Sequence, residues 1–577
     1  MAAIGAKIVL FAGKEIRTYE KYPVRGFLSS MEVPLLVGLK NTNVDSAYLI
    51  WPDNSFQNIT IKDGKHQTLK FTYQKGLPQF NYKIITQKAV LHSIPFQDIT
   101  ASTGIKFLHE ENVFQEFNRE PLIPHFNSTE GPALAIADIN KDGLEDIFIG
   151  AARSFTGAVY LQKAGGTFDK VLQPALSLDS NYEDVDAIWQ DVNNDGNVDL
   201  VVASGGNEYY GKDENMLSRV YLNNGAGHLT KKANALPVYG QFSKVLATDV
   251  NKDGFADIML FGRVTPMNYG AIPDSYLLLN NKDGSFTDAT AKFAPEFSKL
   301  GMVTNAVKAD LNEDGNDEIV VCYEWGGIDA FEFKNGKYVK QKITTLPGWW
   351  TMVVPVDIDG DGDLDLIAGN LGLNTRLKAS KEEPIRLYNN DFDGNGRFEQ
   401  IMSYYLQGKE IPFAGKDEIQ RQLPMVKKSF LYAEDFAKAT IDQIFTRAKL
   451  DAANISTAYH FANTLFINEG NFKFRSENLP WEAQQTAYKA GIVCDANGDK
   501  LPDVLLMGNY YDNNVQMGRY DADYGTLLLN QGKGKFTVEP LNGLQVKGQV
   551  RRIQSITISG KKSFVLAKNS DTILIIN

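Results

Sequence analysis

The chain has 577 residues, a formal net charge of −11, and is 43% hydrophobic and 11% aromatic. This composition excludes a largely disordered chain, and the length exceeds one ordinary core, which suits a repeat architecture with a small companion domain. The acidity disfavours a nucleic-acid partner, no run approaches the ~18 apolar residues of a membrane span, and the opening Met-Ala-Ala-Ile-Gly-Ala-Lys is not expected to act as a secretory signal.

The six histidines (His66, His92, His109, His125, His228, His460) form no zinc-ligand spacing. Cys322 and Cys494, far apart in the chain, are expected as two buried free thiols on strands rather than a disulfide.

In chain order, the first strand that bears on closure is Phe96-Gln97-Asp98-Ile99-Thr100. It resembles Phe286-Thr287-Asp288-Ala289-Thr290, the expected outer strand of the third repeat. From residue 131 onward a nine-residue acidic loop recurs seven times as Asp-x-Asn-x-Asp-Gly-x-x-Asp with small variations. Oxygen side chains stand at positions 1, 3, 5 and 9, and position 7 offers its backbone carbonyl. A hard cation takes 6–8 oxygen ligands at about 2.3–2.6 Å, which is what this pattern supplies.

The expected ligand sets are Asp138, Asn140, Asp142, Leu144 and Asp146; Asp191, Asn193, Asp195, Asn197 and Asp199; Asp249, Asn251, Asp253, Phe255 and Asp257. They continue as Asp310, Asn312, Asp314, Asn316 and Glu318; Asp357, Asp359, Asp361, Asp363 and Asp365; Asp391, Asp393, Asn395, Arg397 and Glu399; and Asp495, Asn497, Asp499, Leu501 and Asp503. Up to seven Ca²⁺ ions are expected, chiefly as structural clamps. Together they would outweigh the formal charge of −11, so the acidity reads as stored ligand charge.

Each loop is flanked by short β-branched runs such as Ile147-Phe148-Ile149-Gly150, which read as buried strands. That makes the loop a hairpin turn and excludes an EF-hand, whose 12-residue loop joins two helices. Glycine at position 6 (Gly143, Gly196, Gly254, Gly315, Gly362, Gly396) supplies positive φ. The last loop has Gly498 at position 4 and Lys500 at position 6, so a weak site or a turn shifted by one residue is expected there. A second hairpin ending near Gly-x-Phe follows most loops, and the two hairpins make one four-stranded blade of a β-propeller.

The first five loops are spaced by 53, 58, 61 and 47 residues, and the interval from Asp357 to Asp495 is 138. An insertion at about 371–462 accounts for the gap, falling between a second strand at Leu366–Gly369 and a third at Thr464–Asn468. It holds the loop at Asp391 and a helical stretch marked by Ile419, Leu423, Val426, Phe430, Ile441, Ile444 and Phe445. The end, Arg551–Asn577, is one strand short of a blade, and 96–100 is expected to complete it. The expected fold is all-β: a seven-bladed β-propeller with a small N-terminal β domain and a partly helical insertion in blade five. Eight blades is the alternative if the insertion's hairpins form a blade.

On these residues the units resemble FG-GAP/VCBS repeats, the calcium-loop propeller units also found in integrin α-subunit heads. The N-terminal stretch is similar to the ASPIC/UnbV domain at Ile4-Gly5-Ala6-Lys7, Arg25-Gly26-Phe27-Leu28-Ser29-Ser30, Val37-Gly38-Leu39 and Trp51-Pro52-Asp53. Together the chain resembles the bacterial relatives of cartilage acidic protein. The resemblance implies a small β domain at 1–84, a linker at 85–130 containing the closing strand, and a propeller at 131–577. It also implies an extracellular or cell-surface location and a piece of a longer multi-domain protein.

The connections opposite the loops carry Arg153, Tyr209, Tyr210, Arg263, Trp325, Asn370, Arg376, Tyr510, Tyr511 and Arg519, residue types that make rigid contacts at binding surfaces. They are the candidate ligand face, and Trp349-Trp350 is expected in the core. A calcium-stabilised binding or adhesion module for a protein or glycan is expected. The alternatives are a polysaccharide-degrading lyase or hydrolase built from Arg376, Tyr511, Asp512, Arg519 and Asp521, or a structural spacer. No nucleophile elbow or phosphate loop appears, so no enzyme is expected.

Overall fold

The computed structural model describes residues 3–13, 15–39, 43–61, 68–88, 96–541 and 543–577. His66, His92 and the part of the expected linker at 89–95 lie outside the described residues. The chain divides into two compact units, Met1–Ser93 and Ile94–Asn577.

The first unit is built on a four-stranded antiparallel sheet in the order Glu15–Glu20, Lys7–Ala12, Ser46–Ile50, Phe56–Asn58. Period-2 alternation sends Val9, Phe11 and Ile50 to one face, where Phe80 covers them.

The second unit is a series of small antiparallel sheets. Sheet one is Leu134–Ala137, Asp146–Ile149, Ala158–Gln162 and Phe168–Val171, each strand pairing with the next. Sheets two, three and six repeat this plan, beginning at Asp184–Gln190, Gln241–Thr248 and Tyr488–Cys494. The first strand of every sheet packs on the first strand of the next, and the strand Gln549–Ile558 of sheet seven packs back on Leu134–Ala137 of sheet one. The cycle is closed. Apolar faces such as Val185, Val201 and Ala203 meet Phe242, Val245 and Leu260 of the following sheet.

Sheet seven has Gln549–Ile558, Lys561–Asn569 and Leu574–Ile576. Its outer edge is paired by the early segment: Gln97 and Asn577 exchange N–H···O bonds of 3.0 and 3.2 Å, and Ile99 N–H donates to Ile575 at 2.9 Å. Residues 96–100 thus cover an edge that would otherwise be open to pairing with another chain.

Sheet four departs from the repeat. Its strand Glu318–Lys334 runs straight from the acidic loop into a hairpin with Lys337–Trp349, and the sheet has three strands. Register shifts between Glu324 and Ile328 absorb the turn expected there, with Trp325 at φ 63°.

Sheet five is Met352–Val356, Asp365–Gly369, Thr464–Asn468 and Phe474–Asn478, with the insertion between its second and third strands. The insertion has its own four-stranded sheet, ordered Lys409–Pro412, Glu399–Leu406, Ile385–Asn390, Asn454–Ala458. The helical stretch is five short helices between Lys416 and Asp451 rather than a continuous one. Pro424 at the first turn of the second helix prevents continuation of the first. Ile419, Leu423, Val426, Ile441, Ile444 and Phe445 are buried together, and Phe430 packs against them. Trp349 and Trp350 are buried, and Cys322 and Cys494 are buried free thiols. No helix among the described residues is long and apolar enough to cross a membrane.

Candidate metal centres

The seven acidic loops share one hydrogen-bond scheme. The position-1 carboxylate accepts from the position-6 N–H, as in Asp138 Oδ2 with Gly143 at 2.9 Å and Asp391 Oδ2 with Gly396 at 2.8 Å. The position-5 oxygen accepts from position 7, as in Asp142 with Leu144 at 2.8 Å and Asp499 with Leu501 at 2.8 Å. These Asx turns wind the chain so that successive oxygen donors come to one side.

Position 4 is also left-handed throughout, at Lys141, Asn194, Lys252, Glu313, Gly360, Gly394 and Gly498. The last loop keeps the common winding: Lys500 adopts φ 70° and donates its N–H to Asp495 Oδ2 at 3.1 Å. The expected one-residue shift does not occur, because the same bond from the position-6 N–H to the first carboxylate holds the turn.

Position 9 is buried in all seven loops, and one of its oxygens accepts the position-2 N–H, from Ile139 to Asp146 at 3.0 Å through to Ala496 and Asp503 at 2.9 Å. Burial pushes the carboxyls of Asp146, Asp199 and Asp365 up to about 6, and those of Glu318 and Glu399 up to about 7.

Two loops bring three carboxylates within reach of one ion: Asp357, Asp359 and Asp361, and Asp391, Asp393 and Glu399. These are the two loops with Asp rather than Asn at position 3; the other five carry their three carboxylates at positions 1, 5 and 9, with an amide oxygen at position 3. Asp359 Oδ1 is buried with no hydrogen-bond partner, and burial and Asp361 raise its carboxyl. A hard divalent cation bound by oxygen donors would satisfy that oxygen and offset the crowding of carboxylates, so the donor set fits such an ion.

A recurring asparagine went unnoticed in the sequence. Asn223, Asn280, Asn468 and Asn530 end the third strands of sheets two, three, five and six. The repeated asparagine at that strand end, after an apolar run, was the available signal. Each donates its backbone N–H to the position-9 carboxylate of its own sheet's loop, at 2.8, 2.9, 2.7 and 2.8 Å. Each side-chain Nδ2 donates to the position-2 carbonyl of the preceding sheet's loop: Ile139 at 2.7 Å, Val192 at 2.8 Å, Leu311 at 2.9 Å and Ile358 at 2.8 Å.

At the other ends of the strands the expected ligand face is only partly a surface. Arg263, Trp325, Asn370 and Tyr510 are buried, which corrects their placement as presented residues. The cause is the segment 109–130, expected as a linker, which lies over the strand ends of several sheets. Its Glu116 accepts from Asn207, His125 meets Glu324, Glu130 accepts from Arg263 at 3.0 Å, and Thr129 donates to Asp512 at 3.1 Å. Asn370 is held by Asn463 and His460 of the insertion's return.

Around His125 a charged cluster is closed from water. Glu324 accepts from Tyr269 at 2.6 Å and pairs with Arg263 at 2.7 Å, and Tyr510 and His125 Nδ1 are 2.8 Å apart. Burial opposes ionisation of Glu324, but His125 and Arg263 outweigh it and hold the carboxyl well below the usual range. Burial lowers Lys489 to about 8. The cavity among His125, Arg263, Glu324, Trp349, Lys489 and Tyr510 is about 20 Å³. By that measure one water needs roughly 10–15 Å³, so a sugar ring does not fit.

Tyr210, Arg376 and Arg519 remain exposed, and Arg153, Tyr209 and Tyr511 are half-buried. Arg519 stacks on Tyr511 at 3.6 Å and pairs with Asp521 at 3.5 Å, while Arg376 lies over Phe413 at 5.0 Å and donates to Gln516. Arg153 pairs with Glu208 and lies over Tyr209 at 4.9 Å. Asp512 accepts from Thr129 and Gln549 rather than standing free near Arg519.

Residues 1–77 match the family model described as ASPIC and UnbV, and residues 138–202, 191–260 and 310–368 match that of the FG-GAP-like repeat. Integrin alpha-4 of Xenopus laevis is 23% identical over 372 residues, 59% of this chain, and the chain spans 33% of that protein's length. Among solved structures, the V. cholerae biofilm matrix protein Bap1 is similar at 12% identity and TM-score 0.31, covering 77% of this chain and 76% of that one. The Dos1 propeller is similar at 10% identity and TM-score 0.36, covering 80% and 97%. The chain therefore carries an ASPIC and UnbV region at its start and FG-GAP-like repeats between residues 138 and 368.

Proposed function

We propose that this chain is a calcium-stabilised binding module, working outside the cell or at its surface, built as a seven-bladed β-propeller. The observation that carries the reading is the set of seven acidic loops with one shared winding and all-oxygen donors. The cyclic packing of first strands supports the blade count, with the insertion as an addition to blade five. Calcium acts here as a clamp: it ties positions 1, 3, 5, 7 and 9 of a hairpin together and relieves the repulsion among buried carboxylates. Extracellular modules bind calcium at about 10⁻⁴–10⁻³ M, which matches such a role.

The likeness to integrin alpha-4 supports an adhesion role, with a protein or glycan as ligand. The surface offered for it is the exposed remainder of the strand-end face: Arg519 on Tyr511, Arg153 with Tyr209, Tyr210 and Arg376. Arginine–aromatic pairs give flat, rigid contact area with charged hydrogen-bond donors at the rim.

Two measurements test the reading. EDTA should lower the melting temperature substantially and millimolar calcium should restore it; an unchanged melt removes the clamp. A glycan and cell-surface binding screen should find a ligand whose retention drops in Arg519→Ala and Tyr511→Ala without loss of fold. Equal retention by the variants and the parent chain removes this surface from the proposal.

A further inference from the structure

The four asparagines that end the third strands do more than close their own sheets. Each is a one-residue bridge between two acidic loops. Its N–H holds the position-9 carboxylate of one loop, and its amide holds the carbonyl between the position-1 and position-3 donors of the preceding loop. The amide orientation is set by its oxygen, which accepts turn N–H groups: Gly225 on Asn223 at 3.1 Å, Lys282 on Asn280 at 2.7 Å, Gly470 on Asn468 at 3.0 Å and Gly532 on Asn530 at 2.8 Å. All four are buried, so water does not compete for these bonds.

The bridges are not continuous. Asn223 and Asn280 join the loops at Asp138, Asp191 and Asp249. Asn468 and Asn530 join those at Asp310, Asp357 and Asp495. Between Asp249 and Asp310 no such bridge exists among the described residues, because sheet four has no third-strand asparagine. There the position-9 residue is Glu318, whose second oxygen takes Asn312 of its own loop at 3.2 Å. Sheet one ends its third strand in Gln162, which reaches Thr557 in loopless sheet seven at 3.1 Å. The insertion's loop is also separate: Lys449 occupies its position-2 carbonyl, at Phe392.

We propose that these asparagines are positioning residues that couple the acidic loops into two cooperative groups of three, with the insertion's loop independent. This rests on the calcium reading above. An ion that fixes the donors at positions 1 and 3 of one loop fixes the carbonyl between them, hence the asparagine amide, hence the position-9 carboxylate of the next loop. The ordering made by the first ion is then not required of the second, which is positive coupling between sites.

The test is hydrogen exchange of the whole chain, resolved peptide by peptide, across a calcium titration. In the parent chain the loops at Asp138, Asp191 and Asp249 should gain protection at one shared calcium midpoint, those at Asp310, Asp357 and Asp495 at a second shared midpoint, and the loop at Asp391 at its own. Independent midpoints in every loop overturn the coupling without any variant. In Asn280→Ala the midpoint of the Asp249 loop should separate from that of its partners by about fivefold or more, leaving the other group unchanged. Asn281→Ala, whose amide donates to Ser285 at 3.1 Å and accepts from Thr287 at 3.0 Å, both within its own hairpin, should change nothing. A shared midpoint retained in Asn280→Ala overturns the assignment of that residue. Should no loop gain protection with calcium, the metal reading itself fails and takes this inference with it.

Discussion

His125 Nε2 lies 2.5 Å from Glu324 Oε1, joining the segment that crosses the strand ends to the second strand of sheet four, 199 residues away in sequence. The same carboxylate serves Tyr269 and Arg263, so one side chain satisfies three buried groups. Removing it leaves Arg263 with Glu130 as its remaining carboxylate partner and His125 Nε2 without its partner. Glu324→Ala should therefore cost about 3–5 kcal/mol, read by urea denaturation in saturating calcium at pH 7. A loss within the ~0.5 kcal/mol range of an ordinary surface substitution such as Arg519→Ala would show that the cluster does not hold the segment in place.

The loops give a pH dependence that bound metal should abolish. Burial pushes the folded-state carboxyls of Asp146, Asp199 and Asp365 up to about 6 and those of Glu318 and Glu399 up to about 7, against about 4 in an unfolded chain, and raises those of Asp257 and Asp503 in the same direction. The folded chain thus binds more protons, and stability falls as pH rises through that window. In EDTA the denaturation midpoint should fall between about pH 5 and pH 7.5. In millimolar calcium the fall should disappear, because the ion holds the carboxylates ionised. Equal profiles with and without calcium would contradict this.

Lys500 occupies φ 70° where six other loops have glycine. A side chain in left-handed backbone costs about 1 kcal/mol. Lys500→Gly should raise stability by about that amount and move the calcium midpoint of the Asp495 loop downward. A midpoint unchanged or raised would show that the lysine side chain contributes something the backbone argument omits.

Gly508 ends the second strand of sheet six, and a Cβ there would stand 2.2 Å from the carbonyl oxygen of Ala487, at the start of the same sheet. The backbone must move to admit it. Gly508→Ala should destabilise by about 3 kcal/mol, at the upper end for overpacking, although its φ is ordinary. Thermal melts that coincide with the parent's would mean that the strand ends yield more easily than the packing indicates.

Local pattern carried much of this protein. The β-branched runs, the Asp-x-Asn-x-Asp-Gly-x-x-Asp register and the interruption at 371–462 follow from residues close in sequence, and the strands, hairpin turns and insertion appear where they point. The pairing of Gln97–Ile99 with sheet seven was legible because the segment repeats an outer-strand motif that sheet seven lacks, although the pairing is an isolated bridge at Asp98 and Thr100 already opens the short helix Thr100–Thr103. Sheet four was not: whether the Trp325-Gly326-Gly327 stretch turns or bulges depends on the partner strand Lys337–Trp349, which period-2 alternation does not specify.

The strand-end face failed for a related reason. Arg263, Trp325 and Tyr510 have the residue types of a binding surface, but those types also build a buried polar cluster once a segment covers them. Composition does not say which. The decision rests on Glu116, His125 and Glu130, whose partners lie far away in sequence.

By itself, then, the sequence determined the repeat, its oxygen-rich loops and their winding, since each is set by neighbours within one loop. Only the tertiary structure decided which loops touch, through Asn223, Asn280, Asn468 and Asn530, and which strand-end residues reach solvent. Both depend on long-range packing, where a side chain's role is set by what the fold places against it.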